Sequence, residues 1–135
     1  MKKTIKGKFD IKSTPQTLDE TTKSIGGMRM TFEKRFHGSL DATSLVSMMG
    51  LMNRDLGSGG YVAIEKISGK VDGLQGTFCF QHSSIMQRGV PSQTITIIPD
   101  TGTEALTGIT GKMTIDIVDG QHFYTFEYEL NPAIN

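Results

Sequence analysis

The chain has 135 residues, 14 basic against 14 acidic side chains and one cysteine; that length supports one domain, 1–135, able to bury roughly 68% of the surface its unfolded form exposes and so to hold a core without staples. Balanced charge argues against electrostatic capture of nucleic acid or of an anionic membrane, and the lone Cys79 excludes an internal disulfide framework and a cysteine-based zinc site. No stretch approaches the about 20 apolar residues of a membrane span, and Met1-Lys2-Lys3 leads into an alternating segment instead of a continuous apolar run, so a cytoplasmic protein is expected.

Residues 4–12 read as a first strand, with Ile5, Phe9 and Ile11 in one phase and Gly7 where close packing would need it. From Ser13-Thr14-Pro15 to Gly26-Gly27 the composition is mostly polar and reads as a loop. Alternation then returns: Met28, Met30, Phe32 and Phe36 share one face, and Arg29, Thr31, Glu33, Arg35 and His37 share the other. After Gly38 the pattern divides. Leu40, Ala42 and Ser44 continue a strand, whereas Leu45, Met48, Met49 and Met52 recur at i, i+3, i+4 and i+7, which predicts a turn or two of helix ended by Gly57-Ser58-Gly59-Gly60.

Further strands are expected over 61–70, 74–84, 93–99, 109–118 and 121–131. Asp119-Gly120 is a two-residue hairpin signal that makes the last two antiparallel neighbours. Gly73-Leu74-Gln75-Gly76-Thr77-Phe78 and Gly108-Ile109-Thr110-Gly111-Lys112-Met113 each place two glycines three apart where a strand begins, as bends at a barrel rim require. They form no phosphate loop, because Met113 follows Gly111-Lys112 and Leu106 stands where the first glycine would be. The sum is an all-β fold with at most one short helix: eight antiparallel strands in a meander that closes into a barrel and so removes its exposed edges.

Several segments carry a family resemblance: Gly60-Tyr61-Val62-Ala63-Ile64-Glu65, Gly76-Thr77-Phe78 with Gln81-His82, Thr101-Gly102-Thr103 with Leu106 to Gly111, and Gly120-Gln121-His122-Phe123-Tyr124 with Glu127-Tyr128. In this order they resemble a small bacterial family of uncharacterised proteins, domain of unknown function 3224, whose fold is similar to the allene oxide cyclase barrel. The resemblance implies a closed eight-stranded meander barrel. It implies no activity, and the catalytic motif of the plant cyclase has no residue-by-residue match here.

Candidate site residues follow from the aromatic and polar positions of the second half. His122, Tyr124, Phe126, Tyr128 and Leu130 share a strand face, an aromatic wall with a titratable group at its end. Glu65 shares a phase with Tyr61, Ala63 and Ile67. Pointing inward, its carboxyl would be desolvated, raised in pKa and suited to proton transfer or to binding a hydroxyl; pointing outward, it would pair with Arg29, Arg35 or Lys66 in solvent. His82 shares a phase with Phe78 and Phe80 and reads either as a hydrogen-bonded core histidine or as a functional one, while His122 sits beside a turn and reads equally as a rim residue. The hydroxyls of Tyr124 and Tyr128 suit a ligand's oxygen or a backbone carbonyl. The ligand-lining set is therefore Tyr61, Glu65, Phe78, Phe80, His82, His122, Tyr124 and Tyr128, with Glu65, His82 and His122 as acid–base candidates. No metal site is expected from Glu65, His82 and His122, which lack close ligand spacing, and no cofactor is called for.

Three functions fit these residues: binding of a small, mostly apolar, oxygenated molecule inside the barrel; a cofactor-independent isomerase, cyclase or lyase using Glu65 with His82 or His122; and a structural or interaction barrel with a filled interior. Met48, Met49 and Met52 would plug one barrel end as core or form a soft lid over it. Ile95, Ile97 and Ile98, with Val62 and Ile64, leave apolar side chains on both faces of their strands, which predicts a homo-oligomer.

Overall fold

Period-two alternation, the strongest pattern in the chain, becomes eight strands in the computed structural model, which describes residues 2–130. They are β1 (Lys2–Pro15), β2 (Met28–Phe36), β3 (Leu40–Asn53), β4 (Ser58–Val71), β5 (Leu74–Gln87), β6 (Val90–Ile97), β7 (Thr110–Val118) and β8 (Gln121–Glu129). Each pairs antiparallel with the next, and β1 pairs with β8 from Lys2 opposite Glu129 to Phe9 opposite His122, so the meander closes. Closure is narrowest at the β6–β7 seam, where Ile95 pairs with Met113 and Thr96 with Lys112, and every strand sends alternate side chains into the barrel.

The two ends differ because the connections differ. At one end the β6–β7 link folds underneath as a single turn of 3₁₀ helix, Glu104–Leu106, and carries the fully buried Leu106 against Gly76. A Cβ at Gly76 would lie 2.3 Å from the Thr103 carbonyl oxygen, so only glycine admits the link this close. Tyr124 ties the β2–β3 turn to the same end, its hydroxyl donating to the His37 carbonyl at 2.7 Å and accepting from the Leu40 N–H. The Tyr128 hydroxyl donates to the carboxylate of Asp72 in the β4–β5 turn. Phe36, Phe78, Phe80 and Phe126 fill the space between, with Phe78 stacked on Phe126 and Phe80 edge-on to both. This end is closed and aromatic.

At the opposite end lie the tight β3–β4, β5–β6 and β7–β8 hairpins and the β1–β2 link. That link is not wholly loop: β1 runs on to Pro15, and Glu20–Ser24 form a short helix, α1, whose first turn is capped by Asp19 Oδ1 accepting from the Thr22 N–H at 2.7 Å. The helix expected from Leu45 to Met52 does not form. β3 is continuous through it, paired on both sides, because Leu40, Ala42, Ser44 and Val46 already alternate into the barrel and β2 and β4 extend that register to Met49 and beyond. The helical spacing was a coincidence of two strand faces: Leu45 and Met49 point outward and are exposed, while Met48 points inward and is half-buried. Met48, Met49 and Met52 therefore do not plug the barrel as core. Ile95 and Ile97 are buried inside it, and of the residues expected to leave an apolar outer face only Val62 and Ile64 are well exposed. The last strand ends at Glu129, and its expected end at Asn131 lies outside the described residues.

Gly7 faces inward opposite Tyr124, where an added Cβ would lie 2.3 Å from the His37 carbonyl oxygen and 2.6 Å from the Tyr124 hydroxyl. Gly7→Ala is expected to destabilise the protein by about 1–3 kcal/mol through overpacking. Urea unfolding measures it, and an unchanged midpoint would mean that the β2–β3 turn yields without cost.

Candidate functional site

Midway along the barrel, four consecutive strands contribute one polar side chain each: Lys34 from β2, Ser44 from β3, Glu65 from β4 and His82 from β5. Lys34 stands opposite Ser44, and Glu65 lies one inward position along β4 from Ala63, which is opposite His82. Adjacent strands thus bring the four together. Glu65 is fully enclosed at 0% exposure, His82 at 4% and Lys34 at 7%. Glu65 Oε1 accepts from Lys34 Nζ at 3.3 Å and meets His82 Nε2 at 2.6 Å, while Oε2 accepts from Ser44 Oγ at 2.6 Å. Lys34 also rests its ammonium over the Phe9 ring, 4.9 Å from the centroid, and 5.8 Å from that of Phe36.

Burial pushes the Glu65 carboxyl up, yet the His82 hydrogen bond, the Lys34 and His82 charges and the Ser44 hydroxyl together outweigh it and hold the group below its ordinary value. The raised carboxyl expected from desolvation alone is therefore corrected: an inward Glu65 arrives with its own donors. An ionised carboxylate only accepts, so Nε2 of His82 carries the proton of their shared bond and Nδ1 is the ring nitrogen left for other work.

Beyond this cluster, toward the hairpin end, the inward-facing residues pass from buried to half-exposed. Val46, Ala63 and Ser84 are covered, whereas Met30, Phe32, Met48, Tyr61 and Gln93 are half-buried. The interior is thus less closed here than at the aromatic end, with mostly apolar side chains partly reached by solvent above the polar cluster. Burial raises the pKa of the Tyr61 hydroxyl, offset in part by a hydrogen bond to Ser84 and reinforced by the Glu65 charge, so Tyr61 stays a donor.

Of the sequence-predicted residues, Glu65 and His82 are brought into contact and Tyr61 sits above them. His122 is half-buried at the β7–β8 rim, its ring 5.2 Å from that of Phe9, which separates it from Lys34. Phe80 walls His82 edge-on at 6.4 Å. Phe78, Tyr124 and Tyr128 belong to the closed end, and both tyrosine hydroxyls are committed to the turns beneath. Burial is the first cause that raises the pKa of Tyr124 and Tyr128, and the Asp72 charge adds to both. Arg29 and Arg35, offered as solvent partners for Glu65, bond instead to Met48 and Ser47 and to Phe36, Ala42 and Asp41. Among the described residues no group of three His, Cys, Asp or Glu is placed to hold a metal ion.

Sequence reasoning missed Lys34, Ser44 and Ser84. The signal for Lys34 was present: it stands in phase with Met30, Phe32 and Phe36, a lysine inside an apolar face. An inward lysine requires an inward acid, and the only inward-phase acid on β3, β4 or β5 is Glu65.

Fold and interior together define a closed eight-stranded meander barrel with an ionic cluster across four strands at its centre. The chain belongs to the family described as protein of unknown function DUF3224, whose model matches residues 5–128. It is similar to a protein of unknown function from that family from Shewanella oneidensis MR-1, known from a crystal structure: 40% identity, TM-score 0.89, covering 98% of this chain and 100% of that one. No functionally curated protein matches the chain.

Glu65→Gln leaves the Lys34 ammonium enclosed without a charged partner and is expected to cost about 3–5 kcal/mol, part of which the double variant Lys34→Met/Glu65→Gln recovers. The pH dependence has a definite sign. Because the folded carboxyl titrates below its ordinary 4.5, its stabilisation is complete above that value and is lost as pH falls through the depressed one. Urea midpoints at neutral and acid pH check both points, and an equal acid loss in Glu65→Gln would assign the effect to other carboxyls.

Proposed function

We propose that the barrel binds, in a mouth at its less closed end, a small and mostly apolar molecule bearing one or two oxygen functions. The observation that carries this reading is the contrast between the two halves of one interior. The closed half is filled with phenylalanines and tyrosines, so nothing in the fold forbids an aromatic plug throughout. The other half instead encloses a lysine, a glutamate and a histidine, whose removal from water costs several kcal/mol per ion before pairing offsets it. Such a cluster beside a partly solvent-reached interior supports a functional reading over a purely stabilising one.

Roles follow from position. Phe32, Met30 and Met48 give an adaptable apolar wall. The Tyr61 and Ser84 hydroxyls and Nδ1 of His82 supply polar contacts to a ligand oxygen. Glu65 does not meet the ligand; it fixes the tautomer and orientation of His82. His122 stands at the rim. No cofactor enters this scheme.

Tyr61→Phe is expected to weaken a medium-chain alcohol probe about tenfold, one hydrogen bond's worth, while leaving the matching alkane unaffected. NMR titration following the Tyr61, Ser84 and Met48 resonances reads this. No saturable shifts at the mouth, or equal binding of alcohol and alkane, would overturn the proposal.

The Glu65–His82 couple also favours a second reading, proton transfer on such a ligand. Glu65 itself, held ionised by three donors, is a poor general base, and the role passes to His82 with Glu65 as the positioning residue. The measurement is deuterium uptake from heavy water at a bound ketone's α-carbon, expected in the native protein and lost in His82→Phe. Equal uptake in both would discard catalysis by His82.

A further inference from the structure

The outer wall of the barrel divides by charge, a division independent of the interior. On β1 and β2 the outward positions include Lys6, Lys8, Asp10, Lys12, Glu33 and Arg35, with ion pairs such as His37 to Asp10 tying the strands together. On the opposite side, the outward positions between residues 47 and 53 of β3, 58 and 64 of β4, 81 and 87 of β5 and 90 and 96 of β6 include no Asp, Glu, Lys or Arg. They are serine, threonine, glutamine, asparagine and glycine around a centre of Met49, Leu51, Val62, Ile64 and Ile85. Register makes that centre contiguous: Met49 stands opposite Val62, Leu51 opposite Gly60, and Gly60 opposite Ile85. Val62 is 57% and Ile85 59% exposed, in a chain whose core does not need them.

We infer that this uncharged face of β3–β6 is where a second copy of the chain packs, sheet against sheet. Size is the first argument. Four strands about 4.8 Å apart and about seven residues of about 3.3 Å give a field of about 19 by 23 Å. Its flat projection, about 440 Å², is already more than half of the about 800 Å² that each partner buries in a standard interface. The exposed Val90 of β6 belongs to it, and the flanking hairpins add the exposed Leu56 together with Arg54, Asp55 and Arg88 as a charged rim. Charge is the second argument. In a two-fold contact the same patch meets itself, so any charge near the axis faces its own like; the centre of this field carries none, and Arg29, opposite Met49 with its guanidinium on Ser47 Oγ, stands at the rim. An anionic lipid surface would select interfacial aromatics around the apolar centre, and the outward positions of the field hold none. The field is the outer face of mutually paired strands, so the contact is face to face, with the two sheets about 10 Å apart.

The test is the mass in solution by light scattering and sedimentation velocity over a wide concentration range, for the native chain and for Val62→Glu and Ile85→Glu. Both substitutions fall on exposed side chains, so circular dichroism should report an unchanged fold. The expected result is a two-chain species for the native protein, shifted to a single chain by either variant and retained by the opposite-wall control Lys8→Glu. A native chain that stays monomeric at every concentration overturns the inference, as does a two-chain species indifferent to both variants. A monomer that binds vesicles of anionic lipid through Val62 would assign the face to a membrane and overturn it equally.

Discussion

Everything in this molecule depends on the pairing of β1 with β8. Once Lys2 to Phe9 lie against His122 to Glu129, the sheet closes on itself, and each strand residue is committed to the inside or the outside by its parity alone. An open sheet with the same sequence could shed Lys34 and Glu65 to solvent by rotating or fraying. A closed one cannot, so the ionic cluster is a consequence of closure acting on two inward-phase residues.

The cluster in turn bears on register. Lys34, Ser44, Glu65 and His82 come from four neighbouring strands, and a slip of one residue anywhere among them breaks the set: it would bring Lys66 inward in place of Glu65, or Arg35 in place of Lys34. Slips confined to apolar positions would be less costly, since one aliphatic side chain can replace another with a modest packing loss. The polar centre therefore disfavours alternative registers more steeply than the aromatic end does. That is consistent with glycines being needed at the aromatic end, where Gly7 and Gly76 admit a tyrosine and a loop at distances no side chain would allow.

Most of the barrel was legible because alternation is a local property. Strand count, order and the antiparallel β7–β8 hairpin all follow from spacing and turn residues, and the family resemblance reinforced closure. The failures share one physical origin. Leu45, Met48, Met49 and Met52 fit a helical period only when both faces of a strand happen to carry apolar residues, and a pattern over so short a window cannot separate the two. Apolar residues on both faces of β6, Ile95 and Ile97 on one and Ile98, just past its end, on the other, likewise left the inward face unassigned by pattern alone. For the site, Glu65 and His82 were legible as inward candidates. Their contact was not, since it rests on a diagonal pairing across β4 and β5 that depends on the hairpin turn at Asp72-Gly73. Lys34 was legible in principle from its phase with Phe32 and Phe36.

The interior and the outer wall pose separate constraints, and their geometry is compatible. The mouth lies at the end of the barrel that carries the short hairpins, whereas the uncharged field lies on its side, along β3 to β6. A partner seated on that field covers Met49, Val62 and Ile64, which point away from the interior, and leaves Met30, Phe32 and Tyr61 at the mouth uncovered. The same strands nevertheless connect the two. Ala63 and Glu65 point inward between Val62, Ile64 and Lys66, so a contact that pins the outer face of β4 also restrains the backbone that holds Glu65 and, through it, His82. Rigidity at the polar floor of the mouth is thereby coupled to whatever packs against the wall, while access to the mouth is not.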